Sequence, residues 1–126
     1  MNDIRRISLM FKRLRARFSP QKRIMLIGQL ARNAERTGNE HAAAGSSWKE
    51  YWQVFTLKDF PTTCPFCGRP LAEADIDGCH IEIADRLIGG WSARKYIIPG
   101  HHNCNMQRGE EFSVKMTIPA VEAVER

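Results

Sequence analysis

Residues 64–68 read Cys64-Pro65-Phe66-Cys67-Gly68, two thiols separated by two residues with a glycine directly after the second. That spacing lets both sulfurs reach one tetrahedral ion, while backbone amides of the turn stabilise their charge. Redox motifs share the pattern, so it carries weight only with a second half-site. Residues 99–104, Pro99-Gly100-His101-His102-Asn103-Cys104, supply one. His101 and Cys104 repeat the two-residue gap and complete a Cys3His set, and His102 is the alternative ligand, although it leaves only one residue before Cys104. Borderline-soft Zn2+ accepts this mixture of sulfur and nitrogen, whereas Mg2+ or Ca2+ calls for oxygens. The expectation is structural zinc on Cys64, Cys67, His101 and Cys104.

Between the half-sites the pattern predicts a β-hairpin. Cys79-His80-Ile81-Glu82-Ile83 alternates, so His80 and Glu82 share one face while Cys79, Ile81 and Ile83 share the other. Cys79 therefore groups with the isoleucines as a small core residue rather than with the zinc. Gly89-Gly90 breaks the run, and Lys95-Tyr96-Ile97-Ile98-Pro99 returns as the second strand. Residues 102–109 then fit a short helix ended by Gly109. Knuckle, hairpin and ligand-bearing helix together describe a treble clef.

The order CPFCG, GCHIEI, YIIPGHHNCNMQRG resembles the zinc-containing HNH, or ββα-metal, endonucleases over about residues 64–109. The resemblance implies that His80 is the general base that activates water. It also implies that Asn105 helps to hold a catalytic divalent cation, Mg2+ or a similar ion, which offsets charge at the phosphate. Two positions depart from the family pattern. Cys79, a poor ligand for a hard cation, replaces the acidic residue that precedes the base, and the central Asn expected near Lys95 or Tyr96 is absent. Asp77 or Glu82 is the candidate replacement carboxylate, and Glu82 shares a face with His80.

Outward from this core, charge is unevenly distributed. Residues 1–36 hold ten Arg or Lys against Asp3 and Glu35, a local balance of +8 within a net charge of +5. Apolar residues at Ile4, Ile7, Met10, Phe11, Leu14 and Phe18 form one helical stripe, with Arg and Lys on the remaining surface. Ser19-Pro20 reads as the start of a second helix that turns Ile24, Ile27, Leu30, Ala31 and Ala34 inward and stops at Gly38. The two would make a basic αα-hairpin. Arg5, Arg6, Lys12, Arg13, Arg15, Arg17, Lys22 and Arg23 are its candidate nucleic-acid contacts. A basic amphipathic helix also suits a membrane surface or a partner's groove, and these rank below nucleic acid.

Residues 39–47 are small and polar and read as a linker. Ser47-Trp48-Lys49-Glu50 matches a capping box, and Trp48, Tyr51, Trp52 and Phe55 share one helical face, expected in the core. Phe112, Val114, Met116 and Ile118 alternate as a closing strand before Pro119. The expected fold is α+β: a basic helical hairpin over 1–38, linker and aromatic helix over 39–60, an HNH-like zinc domain over 61–118, and a tail over 119–126. No apolar run reaches membrane-spanning length, and Arg and Lys interrupt the N-terminus where a signal peptide would be continuous. The expected setting is a cytoplasm, where reduced thiols favour metal over disulfides. The expected function is DNA cleavage by a metal-dependent nuclease. The alternative is a non-catalytic zinc module that binds nucleic acid or a partner protein, such as a small phage or plasmid regulator.

Overall fold

The computed structural model describes residues 3–17, 21–34, 47–85 and 87–124, with the side chains of 3–5 outside that set. In chain order the elements are α1 (Asp3–Ala16), β1 (Arg23–Ile27), β2 (Leu30–Asn33), α2 (Trp48–Thr56), β3 (Ile76–Asp85), β4 (Gly90–Trp91), β5 (Tyr96–His101), α3 (His102–Asn105), β6 (Glu111–Ser113) and β7 (Thr117–Glu122). The strands form one antiparallel sheet in the order β1-β7-β5-β3-β2-β6, with β4 paired to β3.

Connection lengths dictate that this sheet curls. β1 and β2 stand four positions apart in the order, about 19 Å in a flat sheet. Only Gly28 and Gln29 join them, a link that spans at most about 11 Å. The sheet therefore rolls into a half-barrel. Gly28 makes the turn at φ +76°, a region open to glycine. The β6–β7 link runs alongside, Val114 N donating to the Gln29 carbonyl at 3.0 Å.

This architecture overturns the expected helical hairpin followed by a treble clef, although α+β holds. The stretch read as a second helix forms β1 and β2. Its burial has period two, with Leu26 buried between exposed Met25 and Ile27, and Ala31 and Asn33 buried around Arg32. Strands this short satisfy a three-to-four spacing by accident. Pairing with β7, β3 and β6, distant in sequence, decides the outcome. The expected starts and stops at Ser19-Pro20 and Gly38, and linker residues 39–46, lie outside the described residues. The zinc-flanked hairpin is not a separate module either. Its strands, β3 and β5, are the centre of the sheet, and the helix after them ends at Asn105. The closing strand is two strands, and residues assigned to the tail continue β7 to Glu122.

α2 is the central helix. Ser47 caps it, its Oγ accepting from Glu50 N at 3.3 Å. Tyr51, Trp52, Val54 and Phe55 are buried in the core. Two polar tips pin the helix to β7: Tyr51 Oη donates to the Glu122 carbonyl at 2.6 Å and Trp52 Nε1 to the Pro119 carbonyl at 2.8 Å. At its other end Arg13 donates to the carbonyls of Gln53 and Lys58, and Arg23 donates to that of Phe55. Arg23 thereby satisfies a carbonyl that the end of a helix leaves without a partner, and Arg13 adds a second donor to Gln53, whose carbonyl also accepts from Leu57 N. No helix among the described residues is long and apolar enough to cross a membrane.

Candidate metal centre

The knuckle is a small clasp. Gly68 N donates to the Cys64 carbonyl at 2.8 Å, and Cys64 N to the Arg69 carbonyl at 2.8 Å. Gly68 sits at φ +77°. Phe66 anchors the clasp to β5 by lying on Gly100, where a Cβ would come within 2.5 Å of the ring. Its other face stacks on Phe112 at 4.2 Å between centroids. The close approach that Gly100 permits is what brings Cys64 to His101, the next residue.

Cys64, Cys67, His101 and Cys104 place their ligand atoms within 4.8 Å of one another. A Zn–S bond of about 2.3 Å puts neighbouring sulfurs of a tetrahedron roughly 3.8 Å apart, so the four fit one structural metal ion such as zinc. The supporting contacts agree. His101 Nε2 lies 2.9 Å from the Pro70 carbonyl, and a carbonyl only accepts, so Nε2 carries the proton. Nδ1 is left as a lone-pair donor 3.2 Å from Cys67 Sγ. The His101 amide donates to Cys64 Sγ at 3.4 Å. Burial pushes the Cys67 thiol up, but the Arg69 amide, the His101 ring when both its nitrogens carry protons, and the two other thiols outweigh it and bring it down to about 7. Burial and the neighbouring Cys64 and Cys67 push Cys104 up to about 12. A divalent cation in the cluster would offset the thiolate crowding that holds Cys104 up.

Asn33 escaped the sequence reading. It is 3% exposed, and its Nδ2 donates to the carbonyls of Cys104 at 2.7 Å and Gln107 at 2.9 Å. It thereby fixes the turn that carries Cys104. A lone Asn among mixed polar and apolar neighbours gives no signal of this role, which comes from the distant pairing of β2.

A second polar cluster borders the first. Asp77 Oδ2 accepts from His102 Nδ1 at 2.7 Å and from Asn105 Nδ2 at 2.9 Å. His102 thus turns away from the thiols. It shares an open cleft of ≈510 Å³ with Arg69, Asp75, Asn103 and Gln107. Cys79 is fully buried, and burial raises its thiol well above the usual range.

His80 lies elsewhere. Gly78 and His80 occupy the face of β3 against α2, opposite Asp77 by strand alternation. The His80 ring meets Trp48 edge-on at 4.5 Å between centroids and is 5% exposed. Burial, then Lys95 and Arg108, push its pKa down to about 4. Glu82 pairs with Arg32 at 3.2 Å, and that guanidinium lies over Trp91. Of the residues matched to a nuclease centre, Asn105 meets Asp77, while His80 and Glu82 stand apart from both.

The basic residues also divide. Lys12 pairs with Glu50 at 2.6 Å, and Arg13 and Arg23 hold α2 carbonyls. Arg6, Arg15, Arg17 and Lys22 are exposed, and the Arg5 side chain lies outside the described residues.

Compared with known proteins, the chain matches no family model, no curated protein and no solved structure.

Proposed function

We propose that this is a zinc-stapled, HNH-like protein acting on nucleic acid, with cation-dependent phosphodiester cleavage seated at Asp77, His102 and Asn105. The observation that carries the reading is the shared Asp77 oxygen. A carboxylate from β3 and an amide from α3 meet next to His102, which lines the open cleft that Cys67, His101 and Cys104 also line. Asp77 brings carboxylate oxygens, and Asn105, whose Nδ2 now faces Asp77, carries an amide oxygen that a turn of its side chain would present, the chemistry a hard divalent cation requires. Such a cation would supply charge neutralisation at the phosphate. Asp77 holds the imidazole of His102, and Arg69, which lines the same cleft as His102, would meet a phosphate oxygen there. The Cys3His staple fixes α3 and hence Asn105.

The experiment is cleavage of supercoiled DNA and single-stranded RNA by zinc-loaded protein, across Mg2+, Mn2+ and Ni2+. Asp77→Asn and Asn105→Ala should each lower cleavage by roughly a hundredfold or more, in the range for losing a group that acts on the reacting centre, with zinc content unchanged. Cleavage that both variants keep removes the site.

Burial of His80 favours a second reading. With the family's base withdrawn under Trp48, the protein would be a non-catalytic module that binds nucleic acid. It predicts salt-sensitive binding and no cleavage with any cation.

A further inference from the structure

α1 presents its apolar stripe to solvent. Leu9 is 5% exposed and packs into the core, and Ala16 packs against that core from a partly buried position. Lys12 and Arg13 reach Glu50 and the Gln53 carbonyl from the same side. The opposite side carries Ile7, Met10, Phe11 and Leu14, which are 52%, 66%, 60% and 52% exposed. At 3.6 residues per turn these four form one continuous strip. The same geometry sets exposed Arg6 and Arg17 along one border and exposed Arg15 along the other.

An apolar strip between two arginine borders is the pattern of a helix lying in the plane of a bilayer interface. The strip enters the boundary of headgroups and acyl chains, and the arginines meet lipid phosphates on both sides. Nucleic acid would use the arginines and leave the strip in water. A second copy would set cationic borders against each other. We infer that α1 docks the protein reversibly on an anionic membrane surface, through Ile7, Met10, Phe11 and Leu14 with Arg6, Arg15 and Arg17.

The test is flotation of the zinc-loaded full chain with vesicles of phosphatidylcholine, alone or mixed equally with phosphatidylglycerol. Wild type should float with the anionic vesicles, not with neutral ones, and binding should weaken as salt rises. Phe11→Ser with Leu14→Ser, and separately Arg15→Gln with Arg17→Gln, should each lower partitioning at least roughly tenfold. All four positions are exposed, so circular dichroism and zinc content should match wild type. Failure of the wild type to float overturns the inference. Flotation that the serine variant keeps overturns it too, and reduces the face to a polyanion patch of the kind nucleic acid would use. A wild-type dimer that the serine variant dissolves assigns the strip to a second copy instead. Asp77→Asn should float like wild type, so this result is independent of the cleavage assay.

Discussion

His101 donates its Nε2 proton to the Pro70 carbonyl across 2.9 Å, and so the residue that ends the knuckle decides which nitrogen of the ring can bind metal. Pro70 pairs with Thr63 across the clasp that also carries Cys64 and Cys67. One short hairpin therefore supplies two ligands and orients a third. The purified protein should hold one equivalent of zinc. His101→Ala removes a ligand and should weaken zinc more than about a hundredfold, the upper end for losing only a supporting partner. Competition with a chromogenic chelator reads the change. Wild-type stability unaffected by chelation would refute a structural ion, because a ligand bound only by the folded state must raise its melting point.

Asn33 should behave as a supporting residue of that centre. Asn33→Ala removes one of the two donors to each of the carbonyls of Cys104 and Gln107, the amides of Gln107 and Glu110 remaining, at a cost of about 0.5–1.5 kcal/mol per bond. Zinc affinity should fall roughly tenfold in parallel, as for other outer partners. Urea unfolding and chelator competition on one preparation measure both. A loss of stability with zinc affinity intact would confine Asn33 to packing.

What the sequence disclosed depends on the range of the determinant. The knuckle, the second half-site, α2 with its Ser47 cap, and the β3/β5 hairpin are set by spacing and contacts within a few residues, and they stand where the pattern put them. β1 and β2 are set by partners far along the chain, Arg23 opposite Val121 and Ala31 opposite Phe112, which periodicity does not see. α1 was legible as a helix but not in its orientation. A polar anchorage contributes to it: Lys12 reaches Glu50 and Arg13 the carbonyls of Gln53 and Lys58, so these two turn inward beside Leu9, while Arg6, Arg15, Arg17 and the apolar stripe face outward. The meeting of Asp77 with Asn105 was half visible, as one of two carboxylates near the motif. Glu82 loses that role because β2 places Arg32 directly opposite it.

Gly78 marks where α2 touches the sheet. A Cβ there would lie 2.3 Å from Trp48 C and 2.4 Å from Lys49 N, both backbone atoms. Gly78→Ala must push the start of α2 off β3 and disturb the Trp48–His80 contact. The expected cost is about 1–3 kcal/mol or more, as for other overpacked sites. Gly90 has nothing within 4 Å of the same position and no left-handed backbone. Gly90→Ala should be neutral or stabilise by up to about 1 kcal/mol. Equal effects of the two substitutions in urea unfolding would contradict the docking of α2 on Gly78.

His80 gives stability a distinct pH dependence. Its pKa is about 4 in the fold against 6.5 in the unfolded chain, because burial under Trp48 disfavours the charged ring. Above 6.5 neither folded nor unfolded chain holds the proton, and the contribution to stability is fully present. As pH falls from 6.5 toward 4 the unfolded chain takes up a proton that the folded chain refuses, so stability declines across that window and His80 contributes nothing further below it. The loss attributable to His80 is about 3 kcal/mol. Acid also releases zinc from thiolates, so the diagnostic quantity is a difference between proteins. Wild type and His80→Gln share the same Cys3His staple, and both would be unfolded in urea at saturating zinc from pH 7.5 to 4.5. His80→Gln should show a shallower fall over that range, whatever its starting stability. Parallel slopes would mean that the imidazole titrates in the fold as it does in the unfolded chain, and that the packing against Trp48 leaves it open to protons.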